Sequence, residues 1–119
     1  MTMVRTKRVY DPKENEDGFR ILVDRLWPRG IKKESADFDE WLKDIAPSNE
    51  LRKWFNHDVK KWGEFKHKFT IELSQSPALE KLLEMTRKHR VITLVYGAKD
   101  ENHNQAIVIK EFVENKLKK

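Results

Sequence analysis

Val91-Ile-Thr-Leu-Val-Tyr96 is an almost unbroken run of apolar and β-branched residues, and Gly97 ends it. Six such residues suit a strand better than a helix, and a strand apolar on both faces has to be covered on both. That requirement is met by an α/β fold, in which helices or loops pack on either side of a small sheet. A second short run, residues 20–24 (Arg-Ile-Leu-Val-Asp), has the same character. It stops at Trp27-Pro28, where the proline forces the tryptophan out of helical backbone, and at Gly30, which permits a turn that a residue with a Cβ resists.

The rest of the chain supplies the other elements. Residues 3–10 read as a first strand, and Asp11-Pro12 with residues 15–18 as a turn. Residues 38–45 fit either strand or helix, with Pro47 closing them. Ser48 is placed to cap a short helix reaching Phe55, and Asp58 a longer one reaching about Gln75. On the longer helix Val59, Trp62, Phe69 and Leu73, with Phe65 beside them, share one face. Ser76-Pro77 opens a third helix with Leu79, Leu82 and Leu83 as its apolar stripe, ending near His89. Asn102 and Gln105 have the spacing of a capping box for a last helix through Leu117 that buries Ala106, Ile109, Phe112 and Val113. The expectation is one compact domain over residues 1–119 with a small mixed or parallel sheet. The link after the first strand is too short for a helical crossover, so strands one and two are expected to be antiparallel neighbours. The second and the Val91 strands are expected to be parallel.

That arrangement puts two polar loops at one edge of the sheet, Asp24-Arg25-Leu26-Trp27-Pro28-Arg29-Gly30 and the loop from Tyr96 to Asn104. Ligands of open α/β sheets gather beyond the carboxyl ends of parallel strands. Arg25, Arg29 and Lys99, with Trp27, Tyr96 and Asn104 around them, are the candidate ligand-binding residues, because a guanidinium on a rigid corner can hold phosphate or carboxylate through paired hydrogen bonds. Asp24, His57, Asp100 and His103 are the candidate acid–base groups. Each has a structural alternative. Asp24 can pair with Arg25 or Arg29 to pin the loop, Trp27 can anchor it in the core, Asp58 can cap a helix beside a loop His57, and His103 can be a first-turn residue.

No cysteine is present, which removes thiolate nucleophiles, thiolate metal sites and disulfides and suits a reducing compartment. No histidine pair has zinc-binding spacing, so no tight metal site is expected; Asp24 and Asp100 could hold magnesium only together with a phosphorylated ligand. The isolated glycines exclude a Walker loop and a dinucleotide fingerprint, and no Gly-x-Ser-x-Gly elbow occurs. The N-terminal stretch lacks a signal-peptide core and no apolar run reaches membrane-spanning length, so a soluble cytoplasmic protein is expected. A net charge of +5 favours anionic partners, either a phosphorylated small molecule or nucleic acid, although a solvated lysine-rich surface gives the same number. The lysines interleaved with aromatics over residues 52–69 fit a helix with its rings inward better than a base-stacking surface. No cofactor and no oligomeric state can be read.

Arg8-Val-Tyr-Asp11, Gly18-Phe-Arg20, Val23-Asp-Arg-Leu-Trp-Pro-Arg-Gly30, Trp41-Leu42 with Ala46-Pro-Ser48, Leu51-Arg-Lys-Trp-Phe55 with His57-Asp58, and Thr93-Leu-Val-Tyr-Gly-Ala98 followed by Asp100 and His103-Asn-Gln-Ala106 are similar to the words of the YeaO-like family. These are small prokaryotic proteins classed as a domain of unknown function. The resemblance implies a single α/β domain and draws attention to the polar positions named above; it carries no activity. Function therefore divides between an anion-binding protein, with or without acid–base or magnesium-assisted catalysis, and a non-catalytic nucleic-acid-binding or regulatory interaction module.

Overall fold

The computed structural model describes residues 2–118. Four strands, β1 (Met3–Arg8), β2 (Phe19–Leu22), β3 (Glu40–Trp41) and β4 (Val91–Tyr96), form one sheet in the order β1-β4-β2-β3, and every neighbouring pair is parallel. The fold is α/β. β4 takes the centre because Ile92 through Tyr96 are all buried, and only an inner strand is covered on both faces and paired along both edges. Met3 to Arg8 pair with Val91 to Tyr96, and Phe19 to Leu22 with Ile92 to Val95, so three strands end at nearly one level.

The expected antiparallel pairing of β1 with β2 is wrong: β4 lies between them and both run parallel to it. No helix is needed for the return. The six residues of β1 span about 20 Å, and the ten-residue link 9–18, extended, reaches about 33 Å. The link lies against the sheet instead of leaving it. Asp17, at the end of a 3-10 turn (Asn15–Asp17), accepts from the buried Arg20 through its carboxylate and from Thr93 Oγ1 at 2.6 Å through its carbonyl, and Lys7 Nζ lies 3.2 Å from the same carboxylate. Gly18, at φ 65°, closes this turn so near β4 that a Cβ there would stand 2.4 Å from the Val91 carbonyl oxygen.

Four helices, α1 (Asn49–Phe55), α2 (Trp62–Ser74), α3 (Leu79–Lys88) and α4 (Gln105–Leu117), bury the main core, which joins Ile21, Ile92 and Leu94 of the sheet to Phe65, Phe69, Leu73, Leu82, Ile109 and Val113. On the other sheet face a smaller cluster of Val9, Leu22 and Val95 is closed by Ile31, Phe38 and Trp41. The ambiguous residues 38–45 resolve into β3 and a 3-10 turn (Lys43–Ile45).

The caps depart from expectation in three places. Asp58 caps a separate 3-10 turn (Val59–Lys61), because Asn56 and His57 both have positive φ (44° and 56°) and interrupt the chain before α2; Val59, expected in the core, is 52% exposed. Ser76 accepts from Ala78 N and so forms the turn before α3, whose cap position is Ala78. Asn104, not Asn102, caps α4 by accepting from Ile107 N at 3.2 Å, since Asp100 Oδ1 has already drawn the Asn102 and His103 N–H groups into a turn. Trp62 and Phe112, expected on buried faces, are half-buried.

Candidate functional site

The carboxyl ends of β1, β4 and β2 lie side by side, and each continues into a polar loop. β2 passes into Val23 and Asp24. The Asp24 carboxylate accepts from Gly97 N at 2.8 Å and from the Gln105 side-chain amide, so it ties the end of β2 to the end of β4 and to the first residue of α4. Burial pushes its pKa up to about 6, against the opposing pull of the Gly97 and Gln105 hydrogen bonds and the charge of Arg52. The Asp24 carbonyl accepts from the Trp41 indole N–H at 2.7 Å. Arg52 donates from Nη2 to Asn49 Oδ1, while its buried Nε has no partner.

Beyond β4 a chain of polar groups runs from the buried Tyr96, whose hydroxyl bonds Asn104, through Asn104 Nδ2 to the Asp100 carbonyl at 2.9 Å. Burial and the nearby Glu101 raise the Tyr96 pKa. The Asp100 carboxylate holds the Asn102 N–H and stands 2.9 Å from His103 Nδ1, and these contacts hold its pKa below the usual range. The His103 ring meets Trp62 edge-on at 5.2 Å.

A third group comes from β1. Arg8 Nε donates to the Ala98 carbonyl at 2.9 Å, the Arg8 guanidinium lies 5.1 Å from the Tyr10 ring centre, and the Tyr10 hydroxyl donates to the Arg29 carbonyl at 2.7 Å. These contacts draw the loop of β4, at Ala98 beside Lys99, and the loop of β2, at Arg29, to the end of β1. Gly30, at φ 82°, makes the turn after Arg29. Arg29 and Lys99 are exposed, and Arg8 is half-exposed.

The remaining sequence candidates make the following contacts. Arg25 donates to the carbonyls of Pro47 (3.1 Å) and Ala46 (3.0 Å), fastening its loop to the segment before α1. Trp27 packs against Phe38 and Trp41 and donates its indole N–H to the Ile31 carbonyl. His57 is exposed, with Phe55 as its ring neighbour at 6.4 Å. Asp24 pairs with neither Arg25 nor Arg29. Sequence reasoning does not single out Arg8, Tyr10, Arg52 or Gln105 as site residues. Arg8 does have a signal, because it ends a strand just as the residues before the other two loops do; Arg52 and Gln105 carry none apart from helical context.

A cavity of about 400 Å³ opens at the opposite, amino edge of the sheet, lined by Gly18, Phe19, Asp39, His89, Arg90 and Val91. A second, of about 260 Å³, lies under Arg25 beside Ser48 and Glu72. Neither is lined by both polar loops. Among the described residues no group of three or more His, Asp or Glu side chains gathers that could hold a metal ion, and no helix is long and apolar enough to cross a membrane.

Fold and edge together define an all-parallel α/β domain with polar loops converging beyond the strand ends. The chain belongs to the family described as the inactive DUF488-N3 subclade, whose model matches residues 3–119. It is 46% identical over 110 residues to the uncharacterized protein YeaO of Escherichia coli (strain K12), covering 92% of this chain and 96% of that one. It is 38% identical over 112 residues to the uncharacterized protein Rv3073c of Mycobacterium tuberculosis (strain H37Rv), covering 94% of each. No solved structure gives a significant match.

Proposed function

We propose that the protein binds an anionic ligand, a nucleotide or nucleic-acid phosphate, at the carboxyl edge of its sheet, with Arg8, Arg29 and Lys99 as the cationic rim. The observation that carries this reading is the pair of tethers from β1, Arg8 to the Ala98 carbonyl and Tyr10 to the Arg29 carbonyl, which hold three loops bearing cations at one place. Arg8 is held through its own guanidinium, whereas at Arg29 it is the backbone carbonyl that is held; a guanidinium set in place recognises phosphate better than scattered lysines do, because less side-chain freedom is lost on binding. Asp24 positions the two inner loops: both its oxygens are engaged by Gly97 and Gln105. A cysteine-free chain suits the reducing cytoplasm, where nucleotides are abundant.

A catalytic reading would rest on Asp24, whose burial at the strand end pushes its pKa up to about 6, into the range useful for general acid–base work, although both its oxygens are taken by Gly97 and Gln105. The description of the family as an inactive subclade favours binding without turnover. The test is titration of AMP, ATP and inorganic phosphate into the protein by calorimetry. Arg29→Met keeps the aliphatic stem and removes the charge, and it should weaken nucleotide binding by roughly 1.5–3 kcal/mol with an unchanged melting curve. Equal affinity in the variant, or no binding by the parent, contradicts the proposal.

A further inference from the structure

The chain's charge is not evenly spread. Residues 52–68 carry six lysine and arginine residues against Asp58 and Glu64, a net +4 of the whole chain's +5. They lie on α1, the following 3-10 turn and the first half of α2. Phe65 and Phe69 turn inward, as their spacing requires, but Trp54 stays half-exposed and has no aromatic neighbour among the described residues. Part of its surface packs against the main core, and two cations on long stems lie over its ring: Lys68 Nζ, which also pairs with Glu64 at 3.2 Å, is 4.2 Å from the ring centre, and Lys61 Nζ is 5.0 Å away while donating to the Trp54 carbonyl at 2.8 Å. Trp62 lies further along the same segment, half-exposed, with Lys66 Nζ 5.9 Å from its ring centre. Lys53 and Lys60 are exposed beside them.

From this juxtaposition we infer a second binding surface, the α1–α2 face, which takes single-stranded nucleic acid by stacking bases on Trp54 and contacting phosphates with the surrounding lysines. An indole capped by ammonium groups on long stems has a π face that a base can take over, and the displaced ammonium groups then lie where the base's own phosphates pass. Bases in a duplex are already stacked on one another, so the surface selects single strands. The inference goes beyond the edge site and stands on different residues. The two adjoin through Trp62, whose ring touches His103 in the loop after β4.

The test is fluorescence anisotropy with a labelled oligothymidylate of about 15 nucleotides, since single-strand sites on small domains cover roughly 4–16 nucleotides. The parent should bind with an affinity that falls steeply with salt. K53Q/K60Q/K68Q should lower the slope of log K against log salt by about 2, at roughly 0.7 for each phosphate that is no longer neutralised. W54L, which keeps apolar packing, should weaken binding about tenfold with less change in slope. AMP binding should survive in both variants, whereas Arg29→Met should lose AMP and keep most oligonucleotide affinity, so the edge site and the α1–α2 face can fail separately. The inference is overturned if the parent does not bind, if both face variants bind like the parent, or if a duplex of the same length binds as tightly as the single strand.

Discussion

Asp24→Asn isolates the most perturbed carboxylate of the edge. In the folded protein Asp24 ionises at about 6, against 3.8 for a free side chain. The unfolded chain therefore releases this proton first as pH rises. Its contribution to stability is greatest below pH 3.8, where both states are protonated, and is lost progressively as pH climbs through 6. A gap of about two units corresponds to about 3 kcal/mol at neutral pH. Asparagine cannot ionise, yet its carbonyl can still accept from Gly97 N, and its amide can meet Gln105 once the latter's amide is turned. Urea denaturation of both proteins between pH 4 and 8 gives the stability of the variant minus that of the parent, a difference in which other carboxylates, such as Asp17 held below its usual range, cancel. That difference should rise by about 2.5 kcal/mol between pH 4 and 8, the rest of the roughly 3 kcal/mol lying below pH 4, and level off above about pH 7. A difference that is flat, or that falls with pH, refutes the assignment of Asp24 as a buried carboxylate whose charge is disfavoured.

Three further expectations test the packing that positions the site. Phe69→Ala should cost about 3–5 kcal/mol in denaturant unfolding, as a large-to-small change at a fully buried position; a parent-like midpoint would mean that the α2 face is not core. Arg20→Met should cost about 3 kcal/mol or more, because it leaves the buried Asp17 carboxylate with Lys7 as its remaining cation; a stability gain would show that the pair is dispensable to the link over the sheet. Gly18→Ala should destabilise by more than about 1 kcal/mol, since its φ is positive and the new Cβ would press on the Val91 carbonyl; unchanged melting would contradict the close approach.

The central strand is legible because its burial is written in six consecutive residues, and the helices because Phe65, Phe69, Leu82, Ile109 and Val113 recur at helical spacing. Strand order is harder. The link 9–18 has no periodic signature, and its packing on the sheet depends on Asp17 meeting Arg20 and Thr93, contacts that exist only once β4 separates β1 from β2. The α4 cap falls two residues beyond its expected place because Asn102 and Asn104 are chemically alike, and the choice between them rests on which N–H groups Asp100 captures. The two polar loops follow from the rule that places ligands beyond strand ends. That rule applies equally to β1, which ends at Arg8, and it cannot foresee that Arg25 Nε and Nη2 and the Trp27 indole N–H donate to nearby carbonyls.

Amide chemical-shift mapping by two-dimensional NMR, with AMP added to the labelled protein, tests the central claim most directly. Shifts should concentrate in the loop after β2 around Arg29 and Gly30 and in the loop from Gly97 to Asn104, with smaller effects at Val9 and Tyr10 next to Arg8. Shifts confined to residues 18–19 and 89–91, at the opposite edge of the sheet, or no shifts at millimolar nucleotide, would contradict it.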